Sequence, residues 1–228
     1  MKIQICWQSW LTLIALATGL LVNQQSMKAN DDFGSWHGLS VKFLDSDRWT
    51  LAAVGQARLR NDSSELFSYL LSPQLTYKVS PYLRLGMNYT YLPTRPAVGG
   101  DFRYQHRWET EINPRWPVND WLTLDLRNRF ELRWLEDHRG TNERSRHRPQ
   151  ATIRLKGLGP LESVFINNEF FYDYDAHRRS ENRLVPLGMN IRLNSRAVFT
   201  TYYMLASVRG SGGWINTHVP GSHFTLDF

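Results

Sequence analysis

The sequence is poor in cysteine and in long apolar runs, and each absence excludes a class of protein. Its one cysteine, Cys6, lies near the amino terminus, so a disulfide-stabilised fold is excluded for the rest of the chain. The one long apolar run, residues 11–22, is roughly 12 residues long, whereas a membrane-spanning helix needs about 20. The run therefore favours a signal peptide over a spanning helix, and no other segment approaches the length of a membrane helix.

The overall composition does not distinguish a soluble protein from a membrane barrel. The hydrophobic fraction of 42% and the mean hydropathy of −0.45 are those of a soluble protein. A barrel that alternates lipid-facing with interior-facing residues averages to a similar value. The distinction therefore depends on how the apolar residues are arranged.

The amino-terminal segment has the pattern of a secretory signal peptide. Lys2 precedes the apolar run, the polar residues 23–26 follow it, and cleavage after Ala29 is expected. Met27 departs from the small residue that is usual before such a site. A short membrane anchor or a buried helix is the alternative interpretation. If residues 1–29 are removed, the mature chain has no cysteine and enters an oxidising compartment without disulfides.

Residues 122–134 show the clearest strand pattern. Their even positions are apolar apart from Asn128, and their odd positions from 125 to 133 are all charged. Twelve steps of ~3.3 Å give a strand of ~40 Å, which at a tilt of ~40° rises ~30 Å and crosses an apolar band of ~25 Å. Strands of soluble sandwiches are typically about 5 or 6 residues long. The pattern therefore predicts a strand with one face to lipid and one face to a polar interior.

The same alternation recurs along the chain and predicts the fold class. We expect an all-β, single-domain antiparallel transmembrane β-barrel of about ten strands, preceded by a cleavable signal peptide. The predicted strands lie near residues 49–60, 66–79, 82–92, 101–116, 120–135, 145–156, 163–174, 182–194, 196–207 and 217–228. A further candidate at 36–44 is left out, because bacterial single-chain barrels have an even number of strands. Residues 30–48 are then a periplasmic lead-in, and residues 49–228 form the barrel.

Connections and aromatic residues suggest an orientation in the membrane. Short connections at 80–81, 118–120, 157–160 and 194–195 alternate with longer polar ones at 61–65, 93–100, 136–144, 175–181 and 208–216. Outer-membrane barrels have short periplasmic turns and longer external loops. Aromatic side chains are expected to form two belts, with Trp49, Tyr82, Trp116 and Trp121 at the periplasmic rim and Tyr91, Phe102, Trp134, Tyr174 and Trp214 at the external rim.

The inward face of the predicted strands is charged and predicts an interior network. The expected members are Arg103, Arg107, Glu109, Glu111, Asp125, Arg127, Arg129, Glu131, Arg133, Arg148, Arg154, Glu169 and Arg192. The hairpins should set Glu109 and Glu111 beside Arg127 and Arg129, and Glu131 beside Arg107. Charges taken from water persist when they are paired, so we expect the network to plug the lumen. The excess of arginine leaves a narrow, anion-preferring channel or ligand conduit as the alternative.

The chain also resembles a known family. The residues that carry the resemblance are the run 127–133, Arg146 to Arg148, Glu169 with Phe170, the strand from Arg183 to Arg192, and the end from His223 to Phe228. They are similar to uncharacterised bacterial outer-membrane barrels grouped as domain of unknown function 2490. The resemblance implies a small barrel in the outer membrane and no established activity.

An enzymatic role has little support in the sequence. Asp173, Asp175 and His177, with Asp137 and His138 across a loop, resemble the acidic and histidine residues of omptin proteases, so a surface hydrolase is the third hypothesis. The histidines show no metal-site spacing. No cofactor motif is present, so we expect no cofactor and no metal, and an enzyme is less favoured than a structural or interaction protein.

The partners expected from the sequence are components of the outer membrane. The net charge of +6 and the pI of about 9.6 would suit nucleic acid, but the predicted location favours the phosphate groups of surface lipid. The arginines expected in external loops are Arg139, Arg144, Arg178, Arg179 and Arg183. The outward residues Phe224, Leu226 and Phe228 of the last strand are the expected signal for the barrel-assembly machinery. The oligomeric state stays open.

The terminal alternation generates a first prediction. Phe228→Asp should block assembly, because a charge then replaces the apolar residue with which the last strand ends. Heat-modifiable mobility and recovery from the outer membrane measure the outcome. Correctly folded Phe228→Asp protein in the outer membrane would contradict the assembly role.

Overall fold

The computed structural model describes residues 32–96 and 99–228, and this part of the chain is built from strands without a helix. The predicted signal peptide lies outside the described residues. The strands are β1 (Asp32–Phe33), β2 (Ser35–Asp45), β3 (Trp49–Arg60), β4 (Glu65–Ser80), β5 (Leu83–Tyr91), β6 (Gln105–Pro117), β7 (Leu122–Leu135), β8 (Asn142–Arg154), β9 (Leu161–Asp173), β10 (Arg178–Asn194), β11 (Ala197–Gly210) and β12 (Gly213–Asp227).

The strands form one closed barrel. From β2 to β12 each strand pairs antiparallel with the next along the chain, and β12 then pairs in parallel with β2, from Gly221 opposite Trp36 to Asp227 opposite Lys42. The two-residue β1 continues this parallel seam beside Thr217 and His218 of β12. The prediction of an all-β antiparallel barrel is confirmed, with one parallel seam where the barrel closes.

The described residues form a barrel of eleven strands, against about ten predicted, and most of the segment assigned to a periplasmic lead-in is a barrel strand. The segment Ser35–Asp45, set aside because of the even-number rule, is the strand that closes the barrel. In an up-and-down barrel with an odd number of strands the first and last strands run in the same direction, so they must pair in parallel. Odd-stranded membrane barrels are known, and the even-number rule is a tendency of bacterial chains.

The two ends of the barrel differ less in loop length than expected. The turn end, where the chain finishes at Phe228, carries the connections 46–48, 81–82, 118–121, 155–160 and 195–196. The opposite loop end carries 61–64, 92–104, 136–141, 174–177 and 211–212. The long connection predicted at 208–216 is a two-residue turn, because β11 and β12 continue towards each other as far as Gly210 and Gly213. Only 92–104 is much longer than the turns at the other end.

The distribution of polar and apolar side chains is the reverse of that in a soluble protein. Among residues 32–96 and 99–228, seventeen polar or charged residues are buried against eight hydrophobic ones, while thirty-four large hydrophobic side chains are exposed. Trp49, Tyr82, Trp116 and Trp121 lie exposed at the turn end as predicted, and Trp134, Tyr174 and Trp214 lie exposed towards the loop end. In the described ranges no helix is long and apolar enough to cross a membrane.

The lumen wall has an apolar part as well as the expected charged part. The apolar cluster consists of Trp36, Val185, Met204, Ala206 and Val219, with Phe165 and Tyr202 packed against it. Glycine makes room for the two rings, because a Cβ at Gly188 would collide with the Phe165 ring and one at Gly221 with the Tyr202 ring. This arrangement fits the use of glycine in strands where another group approaches closely.

The close contact at Gly188 generates the second prediction. Gly188→Ala should destabilise the barrel by roughly 1–3 kcal/mol, since overpacking displaces the Phe165 ring. Gly212→Ala is the matched control, because a Cβ there has no neighbour within 4 Å. Denaturant unfolding in detergent compares the two variants with the parent. A midpoint for Gly188→Ala equal to that of Gly212→Ala would contradict the proposed ring packing.

Candidate functional site

The charged part of the lumen is built on β6, β7, β8 and β9. Because side chains alternate between the two faces of a strand, these four strands direct one set of alternate residues inward. We call the following buried or half-buried side chains the charge network: Arg107, Glu109, Glu111, Arg127, Arg129, Glu131, Arg133, Arg144, Arg146, Glu169 and Asp173. Its membership agrees with most of the predicted interior set.

Glu131 on β7 lies at the centre of the network and is 0% exposed. Its Oε2 accepts hydrogen bonds from Nε of Arg144 at 2.8 Å and lies 2.7 Å from Nη2 of the same side chain. Its Oε1 accepts a hydrogen bond from Nη1 of Arg146 at 2.8 Å. Both carboxylate oxygens are therefore held by charge-assisted hydrogen bonds, which are the strong kind.

Arg146 on β8 joins Glu131 to a second buried carboxylate. Its Nε and Nη2 donate to Oε1 and Oε2 of Glu169 at 3.1 and 3.0 Å. This two-point contact matches the planar guanidinium to the planar carboxylate. Arg127 Nη2 approaches the same Oε1 at 2.5 Å. One arginine thus links carboxylates on β7 and β9, and Glu169 gathers arginines from β7 and β8.

Arg129 holds the carboxylates of β6. Its Nε donates to Oε1 of Glu111 at 2.6 Å, and its Nη1 lies 2.8 Å from Oε2 of Glu109. Glu109 is 1% exposed and stands directly opposite Glu131 in the strand register. Its oxygens make this ion-pair contact without a hydrogen bond of good geometry among the described residues. Two opposed carboxylates are tolerated here because arginines surround the pair.

The register differs from the pairs expected within hairpins. Glu111 does pair with Arg129, but Arg127 reaches Glu169 on β9 instead of the β6 carboxylates. Arg107 stands directly opposite Arg133 in the strand register and not opposite Glu131. Its Nη1 lies 3.9 Å from Oε1 of Glu131, which is a longer contact than those that Glu131 makes with arginines of β8. The closer partners of Glu131 are on β8. The period-two pattern identifies the inward residues, whereas the partner of each depends on the offset between strands, which the pattern does not contain.

Aromatic rings extend the network across the lumen. Phe171 is 0% exposed, and the guanidinium carbons of Arg144, Arg146 and Arg183 lie 4.9, 4.6 and 4.6 Å from its ring centre. Guanidinium groups at this distance from a ring face are attracted to it. Arg183 also lies 4.7 Å from the ring centre of Trp36 on β2. Contacts of this kind connect the charged wall with the apolar wall.

Several of these residues were not expected in the interior. Arg144 and Arg183 were predicted in external loops, but β8 begins at Asn142 and β10 at Arg178, so both lie on strands and reach Phe171. Arg144 has the same parity as Arg146 and Arg148, which could have revealed its direction. Phe171 has the same inward parity as Glu169, but an apolar residue was not expected on the charged face of the strand.

Other predicted members lie outside the network. Arg103 is exposed at the loop end and pairs with Asp137. Arg154 is exposed at the end of β8. Arg192 pairs with Glu162 in an exposed contact near the turn end. Asp125 lies 3.8 Å from Arg115, which is half-exposed. The interior prediction was wrong for Arg103, because β6 begins only at Gln105.

The residues considered for a surface hydrolase are engaged elsewhere. Asp173 pairs with Arg133 and accepts a hydrogen bond from the Ala176 amide. Asp175 accepts hydrogen bonds from Asn142 and from the Glu143 amide. His177 occupies a left-handed turn position with φ of 46°. No hydrogen bond in the described ranges joins these aspartates, or Asp137, to His138 or His177, and no cluster of metal-ligating residues is found there.

The last strand has the alternation that was expected. Phe224, Leu226 and Phe228 share the outward parity, and the Phe224 ring lies 4.8 Å from that of Phe199 on β11. In the closed barrel β12 is hydrogen-bonded on both sides, to β11 and to β2. The end of the chain at Phe228 stays exposed.

The arrangement places a paired charge network in the barrel interior. Glu131 and Phe171 are inaccessible to solvent, and the ion pairs around them neutralise the buried charges. Isolated ions at such positions would be costly, whereas paired and hydrogen-bonded ions persist. The contacts described here hold side chains in place and leave no reactive group free at the centre of the network.

Neither curated proteins nor solved structures indicate a function for this chain. No curated protein matches the chain. The solved structure of the siderophore receptor PirA from Pseudomonas aeruginosa aligns with 84% of this chain and 42% of that chain, at 14% sequence identity and a TM-score of 0.29. The present chain therefore spans less than half of that receptor, and the similarity is too weak to support an argument.

A family model gives the one firm assignment. The model described as "Protein of unknown function (DUF2490)" matches residues 33–217. The match begins in β1 and ends within β12, so it covers nearly the whole barrel. The chain therefore belongs to the DUF2490 family.

Proposed function

We propose that this protein is a small outer-membrane β-barrel with a sealed lumen and a structural or interaction role. The observation that carries the proposal is the combination of an apolar exterior with a buried interior of paired arginine and glutamate. A barrel satisfies all backbone hydrogen bonds without water, so it can span a bilayer. The exposed leucine, valine and aromatic side chains then face lipid, and the two aromatic belts lie at headgroup level.

The outer membrane is the proposed location because bacterial barrels of this kind reside there. The predicted signal peptide would bring the chain to the periplasm, and the barrel-assembly machinery would insert it. With the turn end in the periplasm, the exposed arginines Arg178 and Arg179 of the loop end face outside. There they can bind phosphate groups of surface lipid, which suit guanidinium forks.

Sealing requires long side chains in a barrel of this size. An eight-stranded barrel is just filled by its side chains, and the diameter grows with strand number. Eleven strands therefore leave more space than small residues can fill. Arginine, glutamate, phenylalanine and tryptophan side chains from facing walls meet in this space around Phe171 and Trp36. A role as scaffold or interaction surface follows from a barrel that conducts nothing.

A narrow anion-preferring conduit is the second candidate. One observation favours it: Arg84 and Arg148 face the lumen near the turn end without an ion pair to any described residue. Rings of arginine select anions in pores. In that case the network around Glu131 would be hydrated and would open to let anions pass.

Glu131→Gln tests the sealed interior. The change leaves guanidinium groups of Arg144 and Arg146 with uncompensated buried charge, and we expect a loss of roughly 3–5 kcal/mol in the free energy of unfolding. Glu162→Gln is the matched control, since its partner Arg192 is 46% exposed and exposed pairs contribute only about 0–1 kcal/mol. Urea unfolding of the folded protein in detergent compares the two variants.

The comparison of these two variants distinguishes the candidates. A dry network predicts a large difference between their unfolding midpoints at both low and high salt. In a wet conduit the charges are screened, and Glu131→Gln would unfold at the same midpoint as Glu162→Gln. That result would contradict the sealed barrel.

A further inference from the structure

A cavity lies in the lumen wall between the charge network and the turn end. Its volume is about 270 Å³. Its lining comes from the start of β5, the end of β6, the first half of β7 and the middle of β8: Arg84, Asn113, Pro114, Arg115, Asp125, Leu126, Arg127, Arg148 and Gln150. Four arginines and one aspartate give this lining a formal charge of +3.

Ion pairs within the protein neutralise only part of this charge. Arg127 pairs with Glu169, and Arg115 lies 3.8 Å from Asp125. Arg84 and Arg148 have no ion pair and no side-chain hydrogen bond to any described residue. Arg148 moreover stands directly opposite Arg127 in the strand register. Like charges directly opposite each other destabilise a strand pair, and the carboxylate of Glu169 forms an ion pair with Arg127 but not with Arg148.

Buried donors in the cavity also have no acceptor. The Nε atoms of Arg127 and Arg148 are both inaccessible to solvent and have no hydrogen-bond partner among the described residues. A buried donor without an acceptor costs free energy, and more so when it is charged. In the charge network the Nε atoms of Arg129, Arg144 and Arg146 donate to a carboxylate, whereas the Nε atom of Arg133 also has no partner. The Nε–H groups of Arg127 and Arg148 are the two that lie in this cavity, and neither has an acceptor among the described residues.

We propose that this cavity binds a small anion that carries a phosphate group, held by Arg84 and Arg148 with Arg127 beside them. A phosphate group offers several acceptor oxygens and up to two negative charges, which matches two unpaired guanidinium groups and their forked donors. The volume lies just below the ~300–1,000 Å³ of drug-sized ligand pockets, so it suits a free phosphate, a small phosphate ester or a lipid headgroup. This inference goes beyond the sealed scaffold, because it gives the turn end of the lumen a ligand.

Phosphate-dependent stability of the full chain folded in detergent tests the site. Inorganic phosphate should raise the unfolding temperature with saturation, at an ionic strength held constant with chloride, because a ligand that binds the folded state stabilises it. Arg148→Gln and Arg84→Gln should each weaken the apparent affinity by roughly tenfold or more. Arg103→Gln is the matched control, since it removes one arginine at the opposite end of the barrel, where Arg103 pairs with Asp137.

A readout without phosphate separates a binding role from a structural one. In chloride buffer Arg148→Gln should be as stable as the parent or more stable, because the change removes a repulsion and breaks no ion pair. A short-chain phosphatidic acid, compared with inorganic phosphate, distinguishes a headgroup from the free ion by which of the two binds more tightly.

Three results would overturn the proposal. The first is the absence of any stabilisation by inorganic phosphate or phosphatidic acid beyond that of chloride. The second is an unchanged phosphate affinity in both Arg148→Gln and Arg84→Gln. The third is a loss of stability in chloride for Arg148→Gln, since Arg148 would then have a structural partner. None of these readouts depends on whether the lumen conducts ions.

Discussion

The fold depends on the need to pair most of the charges that the barrel removes from water. Arg146 on β8 is central to this pairing, because it donates hydrogen bonds to Glu131 on β7 and to Glu169 on β9. These contacts fix three neighbouring strands relative to one another. A one-residue slip would turn the charged side chains outward and the apolar ones inward. The ion pairs therefore specify the register as well as filling the lumen.

The parallel seam has the same dependence on the interior. β12 and β2 meet at the apolar wall, where Trp36 lies between Arg183 on β10 and Arg58 on β3, whose guanidinium carbon is 4.2 Å from its ring centre. Cation–π contacts thus join Trp36 of β2 to β3 on one side of the seam and to β10 beyond β12 and β11 on the other. A parallel pair is slightly less stable per residue than an antiparallel one. Interior contacts across the seam compensate for this weaker pairing.

The alternation of residues predicted the strands and their faces, and the reason is physical. A strand between lipid and a polar lumen must alternate with a period of two, as residues 122–134 do. The offset between strands has no such pattern, so the partners of Arg127 and Glu131 could not be derived. β10 adds a further obstacle, because the bulge between Val185 and Gly188 reverses its inward parity. The sequence pattern therefore did not predict which apolar residues of β10 face the lumen.

The eleventh strand was missed for a different reason. The sequence pattern indicates a strand near residues 36–44, but the segment was left out of the barrel because bacterial single-chain barrels usually have an even number of strands. Whether a first strand closes a barrel depends on contacts with the last strand, here from Trp36 opposite Gly221 onwards. Those contacts join residues far apart in the sequence, and a local pattern contains no information about them. The binding cavity was likewise hidden, since its arginines come from four strands.

Planar-bilayer recording of the folded protein tests the sealed lumen most directly. Glu131 and Phe171 are buried within the charge network, and the proposed sealed lumen predicts insertion into the bilayer without unitary conductance. Steady, anion-selective unitary currents from the parent protein would contradict it.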